Sequence, residues 1–204
     1  MSTFRTLDAV TASLDALPGR RLLIGIAGAP GAGKSTVAES LAAALPDAVA
    51  VPMDGYHLPQ NRLRELGRRE RMGAPDTFDV PAFVALLERL RFCGGVVLAR
   101  GFDRDIEEPV PDAIAISPEK RLIIVEGNYL LHDRDGWEHV APLLDVRLAV
   151  TVADDVRRAR LIARHERFGK SPEEARTWAL GPDESNARLI SSGLARADHR
   201  IALP

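Results

Sequence analysis

The sequence predicts an α/β fold of three layers, in which helices cover both faces of a mostly parallel central sheet. Two observations support this prediction. Short apolar runs, of which residues 122–125 are the clearest, are typical of buried parallel strands. Between these runs lie longer segments whose apolar residues recur at helical spacing. Strands that alternate with helices form a parallel sheet with helices packed on each side.

The elements follow one another without a repeat or a linker, so residues 1–204 are predicted to form one domain. Strands are predicted at 21–27, 48–53, 96–100, 122–125, 145–151 and around 199–202. Helices are predicted at 36–45, 79–90 and 153–168, and another opens at Ser171 with a capping-box pattern. The stretch 101–120 is rich in prolines, glycines and acids and is predicted to be a loop.

Residues 1–19 predict a helix that packs on the core and ends at Pro18-Gly19. Its apolar positions are Phe4, Leu7, Val10, Leu14 and Leu17. An exposed face of this helix could mediate a homodimer, but no motif specifies the oligomeric state.

The composition is that of a globular protein of the cytoplasm. With 27 basic and 29 acidic residues the net charge is −2, which gives no general attraction to nucleic acid. No apolar run approaches the length of a membrane span, and the N-terminus lacks the apolar stretch of a secretory signal peptide. The one cysteine, Cys93, excludes an internal disulfide and suits a reducing compartment. Because it follows an amphipathic helix, we expect it to be an inert packing residue.

The most specific motif lies between the first predicted sheet strand and the helix after it. Residues 28–35 fit the pattern G-x-x-x-x-G-K-[ST], the phosphate-binding loop of nucleoside triphosphate enzymes. The predicted strand, loop and helix are the context in which this pattern is functional. The residues predicted to bind nucleotide are Gly28, Ala29, Pro30, Gly31, Ala32, Gly33, Lys34, Ser35 and Thr36.

Each part of this loop has a chemical reason. The glycines let successive backbone N–H groups close on a polyphosphate, and the helix N-terminus adds a partial positive charge. Lys34 can reach the β- and γ-phosphates, and the Ser35 hydroxyl can bind Mg²⁺. The G-x-G-x-x-G pattern of dinucleotide-binding loops is not met. The sequence contains no N-K-x-D motif, which disfavours a GTPase and favours ATP over GTP as the nucleotide. It also contains no LSGGQ-like segment, which disfavours a transporter ATPase.

Two acidic residues are predicted at the carboxyl ends of strands, where ligands gather in open α/β sheets. Glu126 follows a buried strand and is placed to partner Mg²⁺, because a carboxylate there is costly without a polar or metal partner. Asp54 ends another strand, beside Tyr56 and His57, and could accept a hydroxyl proton as a phosphoryl group departs. Taken alone, Asp54-Gly55 would be an ordinary turn.

The predicted helix 153–168 is rich in arginine. Arg160 and Arg164 lie one turn apart and share a face, so they could stabilise charge on a transferring phosphoryl group. Most arginine-rich helices are solvated faces, and this remains the alternative. The spacing of the histidines matches no zinc motif, and both tryptophans, Trp137 and Trp178, are expected to pack against helices of the sheet.

Together these motifs resemble the P-loop kinase family of uridine kinase, phosphoribulokinase and bacterial pantothenate kinase. The segments that carry the resemblance are 28–36, 53–57, 74–79, 126–129 and 160–164. The sequence is also similar to bacterial proteins described as fructose transport system kinases. The resemblance implies a P-loop NTPase fold with an arginine-rich lid helix, ATP and Mg²⁺ as cofactors, and a small-molecule hydroxyl acceptor.

The resemblance also implies residue roles. Asp54 matches the general base, Glu126 the acidic residue near Mg²⁺, and Arg160 and Arg164 the lid arginines that act with Lys34 in catalysis. The residues that fall where the family contacts its acceptor are Tyr56, His57, Arg100, Asp103 and Arg104. The basic segment from Leu58 to Arg71 departs from what uridine would require, so the acceptor stays open. The alternative function is an ATP-binding regulatory or transport-coupled protein without small-molecule phosphorylation.

Overall fold

The structure, a computed structural model, describes residues 2–202. The strands are β1 (Ser2–Phe4), β2 (Leu22–Ala27), β3 (Ala48–Pro52), β4 (Val97–Asp103), β5 (Glu108–Ile116), β6 (Leu122–Gly127), β7 (Val146–Thr151) and β8 (His199–Ala202). The helices are α1 (Leu7–Asp15), α2 (Lys34–Ala44), α3 (Gln60–Glu65), α4 (Val80–Phe92), α5 (Asp154–Arg167), α6 (Pro172–Leu180) and α7 (Pro182–Gly193).

The central sheet is parallel throughout its described strands, in the order β1-β8-β7-β2-β6-β3. Both of its faces are covered, since Leu23 packs in an apolar cluster with α4 and its neighbour Ile24 packs in a second cluster with α1 and α2. This continuous burial explains why β2 and β6 are apolar along their whole length. The predicted three-layer α/β fold is confirmed.

The sheet brings the carboxyl ends of three strands together. In the register of the sheet, Glu126 of β6 lies opposite Ile26 of β2 on one side and opposite Pro52 of β3 on the other. The residues that follow β2 and β3 therefore emerge beside Glu126. This edge is where the functional residues predicted from the motifs meet.

The prediction that 101–120 is a loop was wrong. β4 continues to Asp103, and β5 pairs with it antiparallel to form a two-stranded hairpin outside the central sheet. Pro109 and Pro111 led to the loop prediction, because proline is rare inside strands, but prolines are tolerated in a strand at a sheet edge. The exposed face of β5 also removes the continuous apolar run by which the other strands were recognised.

Helix boundaries largely follow the capping signals. Asp79 caps α4 by accepting from the Ala82 N–H at 3.2 Å, and Ser171 with Glu174 forms the predicted capping box of α6. The predicted N-terminal helix begins at Leu7 and is preceded by the unpredicted strand β1.

Cys93 lies at the end of α4 and is exposed, so the expectation that it packs was wrong. None of the helices in 2–202 is long and apolar enough to cross a membrane.

Candidate active site

The phosphate-binding loop connects β2 to α2, as the motif predicted. Gly31 and Gly33 have φ values of +79° and +93°, which side chains other than glycine rarely adopt. Lys34 opens α2, is 8% exposed, and donates from Nζ to the Ala29 carbonyl at 3.2 Å. Burial lowers the pKa of Lys34, while the carboxylates of Glu126 and Asp54 oppose that effect. The Lys34 amine thus lies against the loop, and both acids line the same cavity.

Glu126 and Ser35 form a pair of oxygen ligands beside this loop. The Ser35 hydroxyl donates to Oε1 of Glu126 at 2.9 Å, and Glu126 is 5% exposed. Burial and the nearby Asp54 raise the pKa of Glu126. A hydroxyl and one carboxylate suit Mg²⁺, which takes oxygen ligands and fills its other positions with water and substrate phosphates. Among the described residues, no group of three or more His, Cys, Asp or Glu side chains is placed to hold a metal ion, as a site built wholly from protein ligands would need.

Asp54 follows β3 in a short turn of 3₁₀ helix, Met53–Tyr56. Its Oδ2 accepts from Nη2 of Arg104 at 2.8 Å. Burial opposes ionisation of this carboxyl, but Arg104, His57 and Lys34 outweigh burial and hold its pKa below the usual value. Asp54 is therefore a carboxylate at neutral pH, able to accept hydrogen bonds.

Two adjoining spaces meet at these residues. The inner cavity, about 140 Å³, is lined by Asp54 and Glu126 together with His57, Arg69 and Trp178. The outer groove, about 650 Å³, runs between the loop and α5 and is lined by residues that include Thr36, Glu39, Arg160 and Arg167. Among the described residues, Lys34, Ser35, Arg104 and Arg164 line both spaces.

The lid helix α5 packs directly on the phosphate-binding loop. A side chain at Gly31 would meet the Arg157 carbonyl at 2.7 Å, so only glycine permits this approach. Arg160 faces the outer groove, whereas Arg164 lies where the groove and the inner cavity join. Arg164 forms no ion pair within residues 2–202. The helix therefore places cationic side chains beside the phosphate-binding loop.

The five residues that the resemblance placed at the acceptor are divided by the structure. His57 and Arg104 line the inner cavity, and burial lowers the pKa of His57, which stacks on Phe78. The other three support the walls from outside the two spaces. Arg100 pairs with Asp79 at 3.0 Å and lies over the Tyr56 ring, and Asp103 Oδ1 accepts from the Asp105 N–H at 2.9 Å.

Several cavity residues carried no recognisable motif. Arg69, from the basic segment 58–71, pairs with Glu107 and lines the inner cavity. Two other arginines of this segment form ion pairs on the surface, Arg62 with Glu65 and Arg71 with Asp76. Others come from the chain around α5, α6 and α7, namely His165, Lys170, Trp178, Asp183 and Asn186.

The two tryptophans differ from each other. Trp137 is buried in the core and donates to the Pro75 carbonyl, as expected for packing. Trp178 is half-buried, and its ring packs against that of His165 on α5 with centroids 6.3 Å apart, which agrees with the predicted packing on a helix. It also lies 4.7 Å from the Lys170 ammonium and lines the inner cavity, which was not predicted.

Comparison with known proteins gives the same family as the motifs. The profile of the phosphoribulokinase / uridine kinase family matches residues 23–174. An ATP-dependent kinase-like protein from Aspergillus versicolor is 38% identical over 154 residues, which is 72% of this chain and 85% of that protein. A protein from Schizosaccharomyces pombe provisionally assigned as a uridine kinase is 36% identical over 192 residues, 88% of this chain and 82% of that protein.

A solved structure is similar over almost the whole chain. It is a protein of Silicibacter sp. TM1040 provisionally assigned as a fructose transport system kinase, 38% identical, with a TM-score of 0.89 over 97% of this chain and 99% of that one. The chain belongs to the phosphoribulokinase / uridine kinase family and is an ATP-dependent small-molecule kinase.

Proposed function

We propose that this protein transfers the γ-phosphoryl group of Mg·ATP to a hydroxyl of a compact small molecule, with Asp54 as the general base. The observation that carries the proposal is the meeting of Lys34, Asp54 and the Ser35–Glu126 pair at the inner cavity. The outer groove offers space for the rest of the nucleotide against the lid helix.

The transfer follows from the positions of these groups. The acceptor hydroxyl oxygen forms a bond to the γ-phosphorus, and the bond from that phosphorus to the β-γ bridging oxygen breaks, so that ADP leaves with the electron pair. Asp54, a carboxylate at neutral pH, takes the hydroxyl proton. Lys34 and Arg164 offset the negative charge on the transferring group.

Ser35 and Glu126 are the residues that would hold Mg²⁺. When bound, this ion would neutralise charge on the β- and γ-phosphates. The fit is supported by their oxygen atoms, which lie 2.9 Å apart at the end of the phosphate-binding loop. The burial of Glu126 also leaves a carboxyl with a raised pKa, which a cation would stabilise in its ionised form.

The size of the inner cavity favours a compact acceptor. At about 140 Å³, it is smaller than the roughly 300–1,000 Å³ of common small-molecule sites. His57, which lines it, is proposed to contact the acceptor. Tyr56 and Arg100 are proposed to shape the wall, because the Arg100 guanidinium over the Tyr56 ring braces β4 against the turn that carries Asp54. Asp103 is proposed to shape the hairpin turn, where it accepts from the Asp105 N–H.

The direct test incubates the protein with Mg·ATP and a panel of acceptors: uridine, cytidine, pantothenate, fructose, other sugars and their monophosphates. ADP release above the acceptor-free rate identifies the acceptor. With that acceptor, Asp54→Asn should lower kcat by about 100-fold or more while ATP binding is retained. Full turnover in Asp54→Asn would disprove the base assignment. Firm ATP binding with no transfer to any acceptor would favour a regulatory role.

A further inference from the structure

Arg104 occupies a position that its assignment to the acceptor does not explain. It follows β4, at the tip of the β4–β5 hairpin, and its guanidinium bonds to Asp54 at 2.8 Å. Among the described residues, Lys34, Ser35, Arg104 and Arg164 line both the inner cavity and the outer groove. Arg104 is the member of this set that belongs neither to the phosphate-binding loop nor to the lid helix. A third element thus delivers a cation to the junction of the two spaces.

The base of the hairpin is held firmly against the turn that carries Asp54. A side chain at Gly55 would lie 2.3 Å from the Arg100 carbonyl oxygen, so the two backbones are in direct contact. Arg100 also pairs with Asp79 at the start of α4. Beyond this base, the tip that carries Arg104 is more open, and the Arg104 side chain is 42% exposed. A long side chain on such a tip can change partner without any movement of the hairpin base.

The present partner of Arg104 conflicts with catalysis. A guanidinium bonded to a carboxylate stabilises the ionised form and makes Asp54 a weaker base. The Asp54–Arg104 pair is partly exposed, and pairs of this kind contribute little net stability. A phosphoryl group offers the guanidinium a doubly charged partner with suitably spaced oxygens. The γ-phosphate of a nucleotide seated in the loop would therefore compete well for Arg104.

We infer that Arg104 senses the γ-phosphate by changing partners, bonding to Asp54 in the free protein and to the γ-phosphate once a triphosphate is bound. This inference rests on the proposed function for the position of the nucleotide. The exchange releases Asp54 to bond to an acceptor hydroxyl only when a transferable phosphoryl group is present. Arg104 thereby couples the two substrates in one residue.

The test measures binding and requires no acceptor. Calorimetry gives the Kd of Mg²⁺ complexes of ADP and of a non-hydrolysable ATP analogue for the wild type and for Arg104→Gln. The substitution should weaken binding of the analogue by about tenfold and leave binding of ADP within about twofold, since only the analogue carries a γ-phosphate. Arg62→Gln is the matched control, because Arg62 lies on α3, pairs with Glu65 and lines neither space.

A double-mutant cycle tests the exchange itself. In the Asp54→Asn background, the Asp54 carboxylate no longer competes with the γ-phosphate for Arg104. The loss of analogue affinity caused by Arg104→Gln should therefore be about threefold larger in that background than in the wild type. An equal cost in both backgrounds would overturn the exchange, and an equal loss for ADP and the analogue would overturn γ-phosphate sensing. An inactive acceptor panel would instead refute the proposed transfer while leaving both binding readouts unchanged. A protein that binds neither nucleotide would refute both proposals.

Discussion

Glu184 of α7 bonds to two arginines of the lid helix α5. It accepts from Nη2 of Arg157 at 2.6 Å and from Nη2 of Arg158 at 2.9 Å. Arg157 is only 3% exposed, and the rest of its contact with carboxylates is with the exposed Asp154. Replacing Glu184 by glutamine keeps the shape of the side chain and removes its charge. The substitution should therefore destabilise the protein by leaving a buried guanidinium poorly compensated.

The magnitude follows from the pKa of Glu184. The hydrogen bonds from Arg158 and Arg157 lower the pKa of this carboxyl from 4.5 to about 2. Taken at face value, this difference corresponds to about 3 kcal/mol of stability at neutral pH. Arg158 is 39% exposed, so water screens its share of the interaction. After that discount we expect Glu184→Gln to lower the free energy of unfolding by about 2 kcal/mol.

Urea unfolding of the wild type and of Glu184→Gln at several pH values measures this difference. The folded-state pKa is below the unfolded one, so the contribution of Glu184 is complete above about pH 4.5 and is lost as the pH falls toward 2. The gap between the two proteins should be constant from pH 8 to pH 5 and narrow below pH 4.5. Glu65→Gln, which breaks an exposed pair on α3, should cost less than about 0.5 kcal/mol.

Two results would refute this reasoning. A loss below about 0.5 kcal/mol at pH 7 would place the Glu184 pair among ordinary surface pairs. A gap that stays the same at pH 3.5 would mean that the charge of Glu184 is not what stabilises the folded state. In either case the attachment of the lid helix would have to come from its other contacts, such as the His165–Asp183 hydrogen bond and the packing of the buried Leu161.

Two further predictions concern other parts of the fold. Gly55→Ala should destabilise the protein by about 2 kcal/mol in urea unfolding, because the added Cβ would meet backbone atoms of Arg100. Gly94→Ala is the control, since Gly94 has open space around it. Equal stability of the two variants would contradict the close contact at Gly55. Cys93 is exposed and lines neither the inner cavity nor the outer groove. A thiol reagent should therefore modify one cysteine per folded chain without changing the Kd of ATP. Modification that occurs only after unfolding would contradict the exposure of Cys93.

The sequence was sufficient for those parts of the fold whose information is local. The loop from Gly28 to Ser35 is a contiguous motif, and the apolar runs of β2 and β6 record burial on both faces. The hairpin could not be predicted in the same way, because β5 is half exposed and contains prolines. The exposure of Cys93 was missed because helical periodicity tells which face is buried and not how far the packing extends along the helix.

The same distinction applies to the candidate site. Lys34, Ser35 and Glu126 were found because a motif and a strand end indicate them without knowledge of the tertiary structure. Trp178 and Asn186 reach the inner cavity only through the way that α6 and α7 fold over it, and each is an ordinary helix residue in the sequence. Side chains that are brought together by helix packing leave no spacing pattern for sequence analysis to detect.

The charges of the site are divided between two kinds of element. The carboxylates, Asp54 and Glu126, lie at the ends of buried sheet strands, whereas Arg104 and Arg164 come from the hairpin and the lid helix. Under the proposed function, the anions fixed by the core would hold the metal ion and take the proton, and the cations on peripheral elements would adjust to the phosphate. On this proposal the metal ion and the general base depend on the sheet, and we expect the choice of acceptor to depend on the other elements that line the inner cavity: the hairpin, the segment around Arg69, and α6–α7. Apart from Arg104, whose loss should weaken triphosphate binding, cavity residues on those elements, such as Trp178 and Asn186, are where substitutions should change acceptor preference without loss of nucleotide binding.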